Sequence, residues 1–325
     1  MADCAGCPKA QSKSSTGWIA PKREVQLSGI LNVDKPPGMT SHDVVDAIRR
    51  LAGQRKVGHA GTLDPMATGV LLVCLGKATR VAEYLMQGRK QYRATVVLGV
   101  ATDTYDAEGQ ITSSGGRTDF ALAEVEAALA RFTGSIEQVP PMYSAIKQDG
   151  QPLYQLARQG RTVERSARPV QIDRIDLLTW TPPALSIEVT CSPGTYVRSL
   201  AHDLGQHLGS GAHLSSLVRL ASGRFSLEDA TSLDRLAEAF EHGQEDRYLL
   251  ALDEAFFDWP ATILGVEVAR EITHGQAVAL QLPNCAEVEG AMARTYGPEG
   301  EFLAIVVYDA ASGRWRPKKV FVDGH

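Results

Sequence analysis

No apolar run in this 325-residue chain approaches the ~20 residues needed to cross a bilayer, and no basic stretch with a following apolar core forms a secretory signal. A cytoplasmic protein without membrane attachment is therefore expected. Cysteine is sparse: Cys4, Cys7, Cys74, Cys191 and Cys285 are odd in number and scattered, which excludes a disulfide framework. Only Cys4 and Cys7, in CAGC, have metal spacing, and no second pair completes a four-ligand zinc site; no metal is expected. Internal repeats are missing, which argues against a solenoid or propeller. Strict strand–helix alternation is also missing, so a dinucleotide-binding fold is disfavoured and an α+β fold with a mainly antiparallel sheet is expected. What is present, 44% apolar and 22% charged residues, is the balance of a globular protein long enough for two domains.

The formal charge of −5 speaks against a polyanionic partner until its distribution is considered. Between Ser226 and Asp258, ten acidic residues face only Arg235 and Arg247, which leaves the rest of the chain at about +3. Basic residues gather at Lys77, Arg80, Arg89, Lys90 and Arg93, at Lys147, Arg158, Arg161, Arg165 and Arg168, and at Arg314, Arg316, Lys318 and Lys319. A charge run is commonly a solvated face, yet three with interleaved tyrosines fit a phosphate-contacting surface.

Residues 1–28, rich in Ser, Lys, Gly and Ala, lack periodicity and read as a disordered extension. ILNVDKPPG is a strand and turn; Ser41 is placed to cap a helix that presents Val44, Val45, Ile48 and Leu51 on one face and stops at Gly53. A helix over 119–132 is expected to turn Leu122, Val125, Leu129 and Phe132 inward. LSIEVTCSPGTYVRSLAHDLGQHLGSG reads strand, turn, helix, with Leu200, Leu204 and Leu208 on one helical face. The acidic stretch ends at DWP, a linker to a small unit with one helix (VEVAREITHG) and a hairpin made of EFLAIVVYD and RWRPKKVFVD.

The segment GHAGTLDPMATGVLLV (58–73) places Asp64 after a glycine-rich stretch that contains His59. Asp before Pro is a common helix cap, but the segment runs into a strand-like apolar stretch, so the carboxylate belongs to a loop at a strand's start. His59 alone reads as a histidine hydrogen-bonded in a turn. Gly58, Gly61 and Gly69 make turns or admit a close polynucleotide backbone.

GHAGTLDPMATGVLLVCLGKATR closely resembles the catalytic motif of the TruB-type pseudouridine synthases, which isomerise uridine 55 in the T-loop of transfer RNA. LNVDKPPGMTS, QYRATVVLGVATDTYDAEG, PPMYSAIKQDGQPLYQLARQG, GTYVRSLAHDLG and GAHLSSLVRL resemble family segments in family order, over roughly residues 29–325. The resemblance implies a pseudouridine synthase domain at 29–255, with an RNA-gripping insertion at about 138–165, and a small β-rich PUA-like RNA-binding domain at 256–325. It implies Asp64 as the essential catalytic residue and Arg198 as its guanidinium partner. It further implies that His59 fills the space vacated in the RNA loop, that Tyr92 stacks on the flipped base, that Tyr196 and Leu217 line the nucleotide pocket, and that Lys35 lies near the site's floor. The partner would be the T-arm of transfer RNA, bound by a monomer with no obligatory protein partner. Exchanging an N1–C1′ bond for a C5–C1′ bond changes no oxidation state and adds no atoms, so no cofactor is expected. Whether Asp64 attacks C1′ or assists proton removal from C2′ stays open. The competing identities are the RNA-guided dyskerin-like relative and a noncatalytic RNA-binding protein or transfer-RNA chaperone.

Overall fold

The computed structural model describes residues 26–322 except 145, 146, 149, 154, 155, 157–162, 283, 284 and 286. Cys4, Cys7, Arg158 and Arg161 lie outside the described residues, as does much of the insertion expected at 138–165.

Strand β1 (Gly29–Lys35) leads through a Pro-Pro-Gly turn to helix α1 (Ser41–Ala52). Thr40, not Ser41, caps that helix: its hydroxyl accepts from the Asp43 N–H while the Asp43 carboxylate accepts from the Thr40 N–H at 2.8 Å, a reciprocal box. Ser41 is the first helical residue, and its hydroxyl is engaged elsewhere. Gly53, at φ +62°, closes the helix as its sequence indicates. Strands β2 (Val57–Ala60) and β3 (Thr68–Leu75) flank the Asp64 loop; α2 (Ala82–Gln87), β4 (Lys90–Leu98) and the side ribbon β5 (Val100–Thr102) with β6 (Ile111–Ser114) follow. Next come α3 (Leu122–Ala130), β7 (Gly134–Gln138), the short pair β8 (Lys147–Gln148) and β9 (Gln151–Pro152), β10 (Arg168–Thr181), β11 (Ala184–Cys191), α4 (Val197–His207), β12 (Ala212–Ser222), β13 (Phe225–Ser226), β14 (Thr231–Ser232) and α5 (Leu233–Glu241). The C-terminal unit comprises β15 (Ala261–Ile263), α6 (Val266–Thr273), β16 (Met292–Tyr296), β17 (Phe302–Asp309) and β18 (Arg314–Val320).

The main sheet runs β14-β1-β3-β12-β4-β11-β10-β7, with β2 added on β3 and β13 on β12. Its pairs are antiparallel except β1 with β14 and β3 with β12, the mainly antiparallel α+β architecture expected. A separate four-stranded sheet, β15-β16-β17-β18, makes the C-terminal unit β-rich and fits the PUA-like expectation.

Alternation along β3 divides two cores. Leu71, Val73 and Leu75 join Leu31 and Val33 of β1 under Val44, Val45 and Ile48 of α1, Leu200 and Leu204 of α4, Val125 and Leu129 of α3, and Leu236 and Phe240 of α5. Val70, Leu72 and Cys74 face the other side, against Tyr84 and Leu85 of α2, Phe256, and Ile305 and Phe321 of the C-terminal unit. Burial pushes the thiols of Cys74 and Cys191 up to about 12 and about 11, so both pack as inert small hydrophobes.

Two further sequence readings change. Leu122 is 52% exposed, because it opens α3 and the buried stripe begins at Val125. Residues 27 and 28 belong to the fold: the Leu27 N–H and C=O both pair with the Gln54 side chain, at 2.9 and 3.1 Å, and the Ser28 hydroxyl accepts from the Lys77 N–H.

Candidate active site

Asp64 sits between β2 and β3, and its neighbours on both sides are fastened to the β1–α1 segment. The Ser41 hydroxyl accepts from the Leu63 N–H at 2.8 Å and donates to the Leu63 carbonyl at 3.1 Å. On the other side, the Pro65 carbonyl accepts from the Lys35 ammonium at 3.1 Å and from the Gly38 N–H at 2.9 Å. LNVDKPPGMTS is therefore the brace of the loop: a strand that ends on a lysine, a turn that returns one N–H, and a helix whose first serine is spent on the loop rather than on the cap.

Below the loop, cross-strand pairing sets Lys35 beside Gly69, Gly69 beside Arg219, and Arg219 beside Tyr92. Paired residues share a face, so one row across four strands carries two cations and a phenol toward the helix-covered side. Gly69, at φ +94°, makes this possible: a Cβ there would lie 2.3 Å from the Arg219 carbonyl. The backbone that approaches this glycine is the chain's own rather than that of RNA. Arg219 is 1% exposed; it donates to the carbonyls of Val70 at 2.6 Å, Gly61 at 3.1 Å and Thr62 at 3.4 Å. The start of the Asp64 loop and the strand that follows it are thereby tied to one guanidinium.

Above the loop lies Arg198, in the first turn of α4 and 4% exposed. One amino group donates to Asp64 Oδ1 at 2.9 Å and to the Tyr143 carbonyl at 2.6 Å; the other donates to Asp106 Oδ2 at 3.2 Å and the Thr104 carbonyl at 3.3 Å. Asp106 is buried and further held by the Thr104 hydroxyl at 2.5 Å and the Glu108 N–H at 3.1 Å. The arginine thus spans two carboxylates, one locked and one with 30% of its side chain open to solvent. Burial pushes the Asp64 carboxyl above its ordinary range; Arg198 pulls it back, Asp106 adds to the push and Lys35 opposes it. Burial likewise lowers Lys35 to about 8 against the attraction of Asp64 and Asp43.

The structure brings Lys35, Tyr92, Tyr196 and Arg198 within electrostatic reach of Asp64. Tyr196 caps α4 through its backbone, its N–H donating to the Gln138 side-chain oxygen at 2.7 Å and its carbonyl accepting from the same amide at 3.0 Å. Burial raises the pKa of both tyrosines, and for Tyr92 the neighbouring Arg219 opposes the rise. Tyr92 is 8% exposed and Leu217 6%, and both pack in the helix-covered core. His59 is on strand β2 rather than in a turn, and its Nδ1 is buried without a hydrogen-bond partner. Burial holds its imidazole below the ordinary value, with Arg219 adding to the effect.

Two members of the site escape sequence reasoning. Asp106 is one acid among several polar residues in TDTYDAEG, and Arg219 follows a bulge between Leu214 and Ser216 that interrupts the alternation of β12. The basic clusters are also less free than their sequence suggests. Lys90 is buried and caps the carbonyl end of α2 through Leu85, Met86 and Gly88, while Arg89 pairs with Asp173 and Arg93 with Glu188. Lys319 reaches the Arg80 carbonyl and Glu83 across the two units.

Residues 49–197 match the family model described as TruB family pseudouridylate synthase (N terminal domain), and residues 198–256 match the tRNA pseudouridylate synthase B C-terminal domain. The tRNA pseudouridine synthase B of Syntrophotalea carbinolica is 43% identical over 311 residues, covering 92% of this chain and 99% of that protein. That of Symbiobacterium thermophilum is 48% identical over 259 residues, covering 79% and 85%. Among solved structures, a Cbf5-Nop10-Gar1 complex matches with a TM-score of 0.71 at 28% identity, over 91% of this chain and 85% of that one. An H/ACA RNP bound to a substrate RNA containing 2'-deoxyuridine matches with a TM-score of 0.70 at 26% identity, over 91% and 86%. A loop aspartate braced from both sides, a buried arginine spanning two carboxylates, and these matches along most of the chain lead to one assignment: the chain belongs to the TruB family of pseudouridylate synthases.

Proposed function

We propose that this chain isomerises uridine 55 in the T-loop of transfer RNA to pseudouridine, with Asp64 as the essential carboxylate. The observation that carries the reading is the Asp64–Arg198 pair: an aspartate partly open to solvent, against an arginine that is itself buried and fixed by a second carboxylate. Whether Asp64 attacks C1′ or assists loss of a proton from C2′, it acts in its ionised form, and the guanidinium favours that form against burial. In either route uracil leaves with the electrons of the N1–C1′ bond and returns through C5, after which C5 loses a proton and N1 gains one. Arg198 keeps the carboxylate aimed; Lys35 and Arg219 keep the loop from moving as charge shifts through it.

Extruding a stacked uridine costs a few kcal/mol, and stacking on an aromatic face returns about 1–3 kcal/mol. Tyr92 supplies that face, Tyr196 and Leu217 line the nucleotide's pocket, and His59 occupies the space left in the RNA loop. We assign the catalytic domain to 27–255 and the RNA-binding unit to 256–325, a boundary that falls at Phe256, whose ring packs against both. The chain acts in the cytoplasm as a monomer. The Cbf5 structures are those of a protein in complexes, but they share 26–28% identity with this chain, against 42–48% for the tRNA enzymes, and the insertion SAIKQDGQPLYQLARQG resembles the stand-alone form. Carbodiimide mapping of an unmodified transfer RNA incubated with the purified chain alone tests the reading. One new pseudouridine at position 55 is expected, and its absence, or a requirement for a guide RNA or second protein, would overturn it.

A further inference from the structure

The turn that carries Asp106 contains Tyr105, the one non-glycine residue with a positive φ among the described residues, at +66°. A left-handed backbone crowds the Cβ of an L-residue, and tyrosine lacks the short polar side chain with which Asn or Asp compensates. Such a residue persists where its surroundings over-determine it. Here they do. The Tyr105 carbonyl accepts from the Leu214 N–H, and the Ala107 N–H donates to the Leu214 carbonyl, both at 2.9 Å. The Tyr105 ring stacks on the His202 ring, with centroids 3.9 Å apart and planes 17° from parallel.

His202 stands four residues after Arg198 on α4, one turn along the same face. Two side chains of one helix therefore grip three consecutive residues: Arg198 takes the Thr104 carbonyl and the Asp106 carboxylate, and His202 takes the ring between them. His202 Nδ1 is buried with no hydrogen-bond partner, so the stack rather than a polar contact at that atom orients the imidazole. Burial and the nearby Arg165 hold the imidazole below its ordinary pKa, which favours the neutral ring in the stack.

We propose that the Tyr105–His202 stack is a positioning device for the reaction: it holds the left-handed turn that aims Asp106 at Arg198, and through Arg198 it sets the orientation of Asp64. This rests on the reading of Asp64 as the reacting carboxylate. The turn reverses the chain at Tyr105 so that Asp106 points to the helix while its neighbours bond to β12. If the ring lost its partner, the turn would relax toward right-handed or extended backbone and Asp106 would swing off the guanidinium. A guanidinium held by one carboxylate instead of two pivots, and displacements of about 1 Å near a reacting centre cost on the order of 100-fold in rate.

The test compares His202→Ala, His202→Phe and Tyr105→Gly in the full chain, with Asp64→Asn and Asp106→Asn alongside. Single-turnover rate on a T-arm transcript, RNA affinity and thermal unfolding are measured for each. His202→Ala is expected to be slower by on the order of 10- to 100-fold at unchanged RNA affinity, and His202→Phe, which keeps a flat ring, to regain most of the rate. Tyr105→Gly, which adopts the left-handed backbone without Cβ strain, is expected to stay folded and to keep more of the rate than His202→Ala. The decisive arm is the double variant: in an Asp106→Asn background His202→Ala should cost little more, because the stack acts through Asp106. A His202→Ala rate equal to wild type beside an inactive Asp64→Asn would overturn the proposal, as would an undiminished loss in the Asp106→Asn background. Turnover by Asp64→Asn would instead overturn the reading beneath it, a separate and visible result.

Discussion

Strand β3 serves two faces with alternate residues of similar apolar character, yet the surroundings of those faces differ. On the helix-covered side, the apolar core gives way at one end to Lys35, Arg219 and Arg198, buried cations whose partners are carbonyls, carboxylates and a phenol. On the other side, Tyr84, Phe256, Trp259, Phe302 and Phe321 pack ring against ring between the two units, with Arg80, Lys318 and Lys319 spread over the rim of the rings. The first face is held by directional bonds that must all be made, since a buried charge that loses a partner is costly. The second is held by area, which is non-directional. Position at the site should therefore respond to changes that preserve charge and size, whereas the junction between the units should respond chiefly to lost volume.

The largest effect should fall on stability, at the aromatic face. Phe256 is 1% exposed and touches rings from both units, so Phe256→Ala should cost about 3–5 kcal/mol, read by denaturant unfolding, while single-turnover rate per folded molecule stays near wild type. A large rate loss in the folded fraction would mean that the two faces are coupled. Next, Arg198→Lys keeps the charge but cannot reach two carboxylates and two carbonyls from one planar fork. It should lower the rate by about 10²–10³-fold and also lower the melting temperature, since a buried carboxylate is left short of its partner; a lysine variant of near-normal rate would show that charge alone suffices. Smaller still, Tyr92→Ala should lose about 1–3 kcal/mol of flipped-base stabilisation where Tyr92→Phe keeps it, read with a fluorescent adenine analogue beside the target uridine; equal flipping by both would reduce Tyr92 to core packing.

The last of these concerns pH. Because burial raises the Asp64 pKa, the acid limb of kcat/KM should lie above the ordinary carboxylate range. A carboxyl with a raised folded pKa favours the fold most in acid, below its unfolded pKa, and that contribution is lost as pH rises through the folded value. The stability of wild type relative to Asp64→Asn should accordingly decline over that window. A limb at or below the ordinary value would mean that Arg198 outweighs burial.

Much of the helix-covered face was legible in the sequence, because its parts are local: LNVDKPPG as strand and turn, Gly53 as a helix stop, LDP as a loop carboxylate; its arginine in GTYVRS, 134 residues away, came only through the family resemblance. What stayed hidden depends on partners far along the chain. Ser41 looks like a cap until Leu63 arrives from 22 residues away. Asp106 looks like one solvated acid until Arg198 closes on it from 92 residues away. Arg219 sits past a bulge that breaks the alternation by which an inward residue is recognised. In the first basic cluster, the partners of Arg89 and Arg93 were hidden for the same reason, since they come from Asp173 and Glu188, and Lys90 is spent on carbonyls at the end of α2. The junction on the other face was not legible at all, as its five rings come from positions 84, 256, 259, 302 and 321 and share no periodicity.

The claim on which the rest depends is that Asp64 reacts and its neighbours only hold it. Asp64→Asn preserves the shape and removes the charge, so the variant should bind a T-arm hairpin with a Kd close to wild type while forming no pseudouridine detectable by carbodiimide mapping in a single-turnover reaction. Product formed at a rate near wild type by Asp64→Asn would contradict the account.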